Sequence, residues 1–363
     1  MNASGSADFS GTRPVAPTYS FDVGRLADYM REHVEGFRGP LEVEQFKGGQ
    51  SNPTFRLQAG GQRYVLRRKP SGVLLPSAHA VEREFRVISA LAGTEVPVPR
   101  AYALCEAPEV IGTAFYIMEY IEGRVLWEPA LPGMAPAQRG AIYDEMNRVI
   151  AAMHMIDPAS IGLADYGRPG NYIERQVARW TTQYRAAETE RIEAADQLID
   201  WLPRHLPAND ESRIVHGDYR LDNVILHPDE PRILAVLDWE LSTIGHPLVD
   251  FAYHCMTWRM IEGEARGLAG ADLAALGIPS EADYLRTYLR RTGRGQFAEV
   301  SEVDWGYYLV FNMFRLVGIL QGITARALQG NASSAGALEA GKRTRPLAEH
   351  AWKLAQQVDA MRA

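Results

Sequence analysis

Only two cysteines occur in 363 residues. Neither Cys105 nor Cys255 belongs to a Cys-x-x-Cys pair or lies at metal-ligand spacing from a histidine. Both sit among apolar residues, which predicts buried free thiols in a reducing compartment and no structural zinc. Blocks of Lys or Arg are also missing. With 38 basic against 45 acidic residues and a net charge of -7, the chain has no concentrated basic face for nucleic acid or a membrane surface. No apolar run approaches bilayer length, and neither a repeat nor a low-complexity block interrupts the chain. Residues 1–20 are rich in Ser, Gly, Ala and Pro without the apolar stretch of a leader peptide, so they read as the flexible tail of a cytoplasmic protein.

What is present is an ordinary globular composition, 46% hydrophobic and 23% charged, on a chain long enough for two lobes with separate cores. An amphipathic helix is predicted over 23–34, with Leu26, Tyr29, Met30 and Val34 on one face. Three short β-favouring runs follow at 41–46, 54–58 and 64–68, separated by Gly-containing turns, as in an antiparallel meander. A helix over 78–91 and two further apolar runs, 101–104 and 114–121, complete an expected five-stranded sheet with one helix on it. Beyond Gly123 helical periodicity dominates, over 138–155, 172–187, 191–201, 282–290, 303–328 and 335–361. Two short apolar runs, 224–226 and 233–237, flank Pro228-Asp229 as a hairpin would. The resulting division is a tail (1–20), a small β-rich lobe (21–121) and a larger, mainly α-helical lobe (122–363).

One constellation carries chemistry. In His216-Gly-Asp218-Tyr-Arg-Leu-Asp-Asn223, the asparagine follows the first aspartate at the spacing of the protein-kinase catalytic loop. Asp238 then ends the apolar run 233–237, where a kinase would place its magnesium-binding aspartate. Phosphoryl transfer needs a carboxylate near the attacking hydroxyl and oxygen ligands for Mg²⁺. Asp218 is therefore the candidate base, and Asn223 and Asp238 are the candidate metal ligands. Asp222 is read as a solvated turn residue or an outer acid of the metal site, and Glu240 as a charge-balancing or water-mediated acid.

These motifs resemble the aminoglycoside phosphotransferase and choline kinase-like superfamily, over nearly the whole chain from Phe46 onward. The resemblance implies an α+β, protein-kinase-like bilobal fold, with a five-stranded antiparallel N-lobe and a helical C-lobe, and it implies ATP and Mg²⁺ as cofactors. Phe46-Lys-Gly48-Gly49-Gln-Ser51-Asn52 is similar to the family's phosphate loop, so Gly48, Gly49, Ser51 and Asn52 become nucleotide-site candidates. Arg67 in Tyr64-Val-Leu-Arg67 takes the place of the strand-three lysine, a departure that changes a point charge into a planar fork and leaves Arg68 and Lys69 as nearby alternatives. Glu84 matches its ion-pair partner. Tyr116-Ile-Met-Glu119-Tyr-Ile121 resembles the hinge, with the backbone of Glu119 and Ile121 toward adenine. In Gly245-His246-Pro-Leu-Val-Asp250, Asp250 matches an aspartate that braces the catalytic loop, and His246 stands where the family has an acid; a surface or helix-start histidine is the expectation for it.

Nearer resemblance is to the kinase domains fused to acyl-CoA dehydrogenases and their stand-alone bacterial relatives, through 74–84, 167–176 and 237–243. It implies a 4-hydroxyacyl-CoA as phosphate acceptor and an acyl-CoA dehydrogenase in the same pathway; Arg175 and Arg179, one helical turn apart just after Arg168, read either as an anion-binding cluster or as a solvated helix face paired with Glu174. An amino-alcohol or aminoglycoside kinase and a nucleotide-binding pseudokinase stay open as alternatives.

Overall fold

The computed structural model describes residues 11–47, 52–70, 79–260, 267–294, 300–330 and 336–362. Two compact units emerge, the first made of Met1–Trp127 with Asp222–Leu241, the second of Glu128–Leu221 with Ser242–Ala363. The boundary expected near residue 121 thus falls six residues later, and the hairpin carrying Asn223 and Asp238 returns to the first unit.

That unit is built on an antiparallel sheet of β1 (Thr12–Arg13), β2 (Leu41–Phe46), β3 (Thr54–Ala59), β4 (Gln62–Arg68), β5 (Ala101–Cys105) and β6 (Phe115–Glu119), in the order β1-β2-β3-β4-β6-β5. Five strands match the expectation. The sixth, β1, comes from the segment read as tail, where Thr12 and Arg13 pair with Phe46 and Gln45; two residues are too short to show an alternating pattern. Alternation along β3 and β6 sends Phe55, Leu57, Phe115 and Ile117 to one face, where Leu26 and Met30 of the Val23–His33 helix close a core. Asp22 caps that helix by accepting from the Arg25 amide at 3.0 Å. The Val81–Leu91 helix packs against β5 and β6, so the sheet carries two helices where one was expected. The Val224–Leu226/Ile233–Val236 hairpin joins the unit through backbone bonds: the Arg124 and Leu226 amides each donate to the other's carbonyl, at 2.8 and 2.9 Å, and the Val236 amide donates to the Pro97 carbonyl at 2.8 Å. A Cβ at Gly123 would come within 2.3 Å of the Leu226 carbonyl, so only glycine permits this approach.

In the second unit the Glu302–Leu328 helix is packed by the Thr344–Arg362, Tyr172–Ala186 and Pro247–Cys255 helices. It is long and apolar enough, by length and composition alone, to cross a membrane, which the residue-by-residue reading of apolar runs missed. Its apolar side chains, including Leu309, Val310, Phe311, Phe314 and Val317, are buried in this unit. Close packing needs small residues: a Cβ at Gly306 would sit 2.4 Å from Val358. The continuous helix expected over 335–361 is instead two, Ala337–Gly341 and Thr344–Arg362. A short antiparallel pair, Arg213–Val215 with Thr243–Gly245, had no sequence signal of its own, since each strand is only three residues long, yet it leads directly into His216 and His246. Cys105 and Cys255 are buried free thiols.

Candidate active site

In the first unit, β4 ends by delivering Arg67 inward. Its Nε lies 2.8 Å from Glu84 on the Val81–Leu91 helix, one of its terminal nitrogens forms an ion pair with Asp238, and Glu240 is 3.7 Å away. Glu84 is fully buried and fully served: Asn52 donates to Oε1 at 2.8 Å, and the Tyr116 hydroxyl donates to Oε2 at 3.2 Å. Burial pushes the Glu84 carboxyl up; Arg67 opposes that shift and Asp238 adds to it. Burial also works against the Arg67 charge, but Glu84 and then Asp238 outweigh it and hold the guanidinium above its usual range.

Asp238 owes its position to the end of the hairpin. The Leu237 amide donates to the Asn223 carbonyl at 2.8 Å, and the buried Trp239 indole turns back to the Val236 carbonyl at 3.0 Å. Between them Asp238 takes φ +63°, a left-handed conformation uncommon outside glycine and found at sites where surrounding structure holds it. Asn223 and Asp238 are thereby tied together through the backbone.

In the second unit the Arg213–Val215 strand runs into His216-Gly217-Asp218. Asp250, in the first turn of the Pro247–Cys255 helix, accepts from the His216 and Gly217 amides, both at 2.8 Å. Gly217 has φ +81°, which explains its identity. His154 lies 3.2 Å from Asp250 and 2.7 Å from the Tyr288 hydroxyl. Although burial would raise Asp250, His154 and the His216 side chain and amide bring it below the usual carboxylate range. The Asp218 carboxylate accepts from the Tyr253 hydroxyl at 2.6 Å on Oδ1, and Arg220 reaches Oδ1 at 3.0 Å and Oδ2 at 3.2 Å. Its side chain keeps 17% exposure. This is a pinned loop presenting one oriented, solvent-reachable carboxylate.

Comparison with known proteins shows the family. Residues 42–294 match the phosphotransferase enzyme family model named APH. The chain belongs to this family. The chain is 60% identical to a Ralstonia eutropha protein described provisionally as an aminoglycoside phosphotransferase, with a TM-score of 0.85 over 93% of this chain and 99% of that one. It is 46% identical to mouse acyl-CoA dehydrogenase family member 10 over 95% of its own length and 32% of that protein, and 40% identical to human member 11 over 98% and 45%. The chain therefore spans less than half the length of these curated relatives. A thermostable mutant of aminoglycoside phosphotransferase APH(4)-Ia in ternary complex with AMP-PNP and hygromycin B shares the fold at 17% identity, TM-score 0.59, covering 91% of this chain and 98% of that one.

Within this phosphotransferase, Arg67, Glu84, Asp238 and Asn52 are brought together with Asn223, whereas Asp218 belongs to the other unit. Gly48, Gly49 and Ser51 lie outside the described residues. Asn52, expected to face phosphate, is buried with its amide on Glu84 and its carbonyl oxygen 2.9 Å from His79 Nδ1. The Glu119 amide is taken by the Arg100 carbonyl at 2.8 Å, whereas the Ile121 amide makes no hydrogen bond among the described residues. Arg175 spends its guanidinium on the carbonyls of Gly170 and Arg168, so the anticipated three-arginine cluster is partly a loop clasp. Sequence reasoning passed over Tyr253, although it lies one helical turn beyond Asp250 on the same helix, and also Arg220 and Arg315.

His246 is not a surface residue. It is fully buried at the start of the Pro247–Cys255 helix, neither ring nitrogen has a hydrogen-bond partner among the described residues, and burial pushes its pKa down to about 4. Burial does the same to His254, also to about 4. Each folded value lies below the unfolded histidine value of about 6.5. Acid therefore protonates the unfolded chain first: the stability held above about pH 6.5 is lost toward pH 4, at about 1.4 kcal/mol per unit for each histidine. Melting curves across that window are expected to show a steep decline in wild type and a shallower one in His246→Leu, which has no proton to gain and breaks no hydrogen bond. Equal slopes would exclude His246 from the acid response.

Proposed function

We propose that this kinase transfers the γ-phosphoryl group of ATP to a hydroxyl of a small metabolite, and that the acceptor is a 4-hydroxyacyl-CoA. The observation that carries the reading is Asp218, an oriented carboxylate on a loop whose amides are held by buried Asp250. Asp218 takes the proton of the acceptor hydroxyl as its oxygen bonds to the γ-phosphorus. The bond from that phosphorus to the β–γ bridging oxygen breaks, and ADP leaves. Loose transition states of this kind place their demand on positioning and charge more than on covalent chemistry.

Mg²⁺ would be held by Asp238 and Asn223, whose oxygens suit a hard cation that otherwise keeps water and phosphate ligands. The left-handed Asp238 turn and the Asn223–Leu237 backbone bond are the features that fit such a site. When bound, the ion neutralises phosphate charge. Arg67 would then exchange its contact with Asp238 for the α- and β-phosphates while keeping Glu84, which Asn52 and Tyr116 hold in place. Gly48, Gly49 and Ser51 would supply backbone donors to the phosphates, and the backbone of Glu119 and Ile121 would meet adenine.

Support for the acceptor comes from the mouse and human relatives, proteins named for acyl-CoA dehydrogenases, in which this chain aligns with only part of the length. A dehydrogenase acting in the same pathway is the corresponding partner. An aminoglycoside or amino-alcohol acceptor is the second reading, favoured by the description of the Ralstonia protein. A pseudokinase is disfavoured because Asp218, Asn223 and Asp238 are all retained.

ADP release measured with ATP and Mg²⁺ across 4-hydroxyacyl-CoAs, choline, sugars and kanamycin tests the reading. Saturable turnover is expected for the hydroxyacyl-CoA. Turnover of kanamycin or choline with none for any acyl-CoA would establish the second reading instead.

A further inference from the structure

Arg315 is the least conventional charge in the second unit. It comes from the middle of the Glu302–Leu328 helix and is 9% exposed, yet it has no carboxylate partner among the described residues. Its one hydrogen bond there, from a terminal nitrogen, goes to the Gly217 carbonyl at 2.7 Å. The rest of its environment is aromatic: the guanidinium carbon lies 4.7 Å from the Tyr253 ring centre and 5.6 Å from that of Trp180. A buried cation without a counter-charge is costly, and two ring faces offset only part of that cost. Trp180 adds a second unsatisfied group, because its indole N–H is buried and makes no hydrogen bond among the described residues. Arg179, over the same Trp180 ring, and Arg175 add positive potential: together with Arg315 they act on the buried Tyr172 hydroxyl, opposing the rise that burial imposes.

The location restricts what Arg315 can meet. Gly217 adjoins Asp218 in the chain, with Cα atoms about 3.8 Å apart, and Tyr253 touches both the guanidinium and the Asp218 carboxylate. A group bound to Arg315 therefore lies only a few bonds from the hydroxyl that Asp218 deprotonates. The distant phosphates of a coenzyme A carrier are too far along the molecule. An oxygen at the acyl end of a short hydroxyacyl chain is at the right remove.

We propose that Arg315, with the Trp180 indole N–H, recognises the acyl oxygen of the acceptor, either a carboxylate or a thioester carbonyl, and so selects hydroxyacyl compounds over simple alcohols. This rests on the kinase reading above and deepens it. The guanidinium offers directional N–H donors to that oxygen while its Gly217 contact keeps it in register with the base.

Three acceptors of one chain length separate the possibilities: a 4-hydroxyacyl-CoA, the free 4-hydroxy acid, and the diol in which the acyl carbon is an alcohol. Wild-type kcat/KM is expected to exceed that for the diol by at least ten-fold for one of the acyl compounds. The thioester and acid arms show which oxygen is used. In Arg315→Gln the KM for that compound should rise about ten- to a hundred-fold with the KM for ATP unchanged, and Arg315→Lys should fall between. Equal wild-type kcat/KM for acyl compound and diol overturns the proposal without any variant. So does a uniform fall in kcat for every acceptor in Arg315→Gln, the mark of a residue that only supports the Gly217 carbonyl. Should no hydroxyl compound in the set be phosphorylated, the kinase reading fails on its own account. Calorimetric binding of unhydroxylated pentanoyl-CoA and pentanoate then decides the role of Arg315: binding lost in Arg315→Gln supports it, and no binding by wild type overturns it.

Discussion

Replacing Asp218 with Asn is expected to lower phosphoryl transfer by about two to four orders of magnitude, the usual contribution of a positioned general base. Nucleotide binding should persist. The substitution is nearly isosteric, and the amide oxygen can still accept the hydrogen bond now given by Tyr253 at 2.6 Å to Asp218, while the half-exposed Arg220 loses its contact with the second oxygen and turns to solvent. Asp250 continues to hold the His216 and Gly217 amides, so the loop itself has no reason to move. What disappears is the capacity to take a proton. Single-turnover transfer should therefore collapse while MgATP affinity, read by nucleotide fluorescence, stays within a few-fold. Near wild-type turnover of a purified, folded Asp218→Asn protein would remove this residue from the mechanism.

Arg67→Met is expected to carry the largest stability effect, a loss of about 3–5 kcal/mol, because removing one partner of a buried ion pair strands the other. Two carboxylates depend on this guanidinium: Glu84, with 1% of its side chain exposed, and Asp238 in its left-handed turn. Without Arg67 the two negative charges repel, Glu84 gains a proton at higher pH, and the Asp238 turn loses its anchor. Arg67→Lys should be milder. An ammonium can serve one carboxylate well but cannot span both as the planar guanidinium does. Urea denaturation of the three proteins at pH 7 gives the ordering wild type, Lys, Met. Equal midpoints for wild type and Arg67→Met would mean that the pair contributes nothing net.

Much of the fold is legible in the sequence. Periodicity placed the Val23–His33, Val81–Leu91 and Tyr172–Ala186 helices to within a few residues, because each buries one stripe of side chains. The spacing from Asp218 to Asn223 and the apolar run ending at Asp238 singled out the candidate residues because kinase loops are short and their ligands are fixed in sequence, and the Leu237 amide to Asn223 carbonyl bond joins two of them. What escaped depends on distance along the chain. Arg315 reaches Gly217 across 98 positions, and Asn52 reaches Glu84 across 32. Neither has a local pattern. His246 looked like a helix-start surface residue because burial of a single polar side chain leaves no trace in composition. β1 escaped for a simpler reason: two residues have no period.

The hairpin that returns to the first unit also sets an order for biogenesis. The first unit cannot complete its contacts as its N-terminal part leaves the ribosome, since the Leu226 bridge partner of Arg124, the Val236 amide that meets Pro97 and the Asp238 counter-charge to Arg67 are all synthesised later. Pairings this far apart must wait for loop closure across the intervening helical segment. A fragment ending at Trp127 should therefore hold all six strands yet lack the hairpin that braces them, whereas the nascent chain gains those contacts and the counter-charge to Arg67 once Leu241 has emerged.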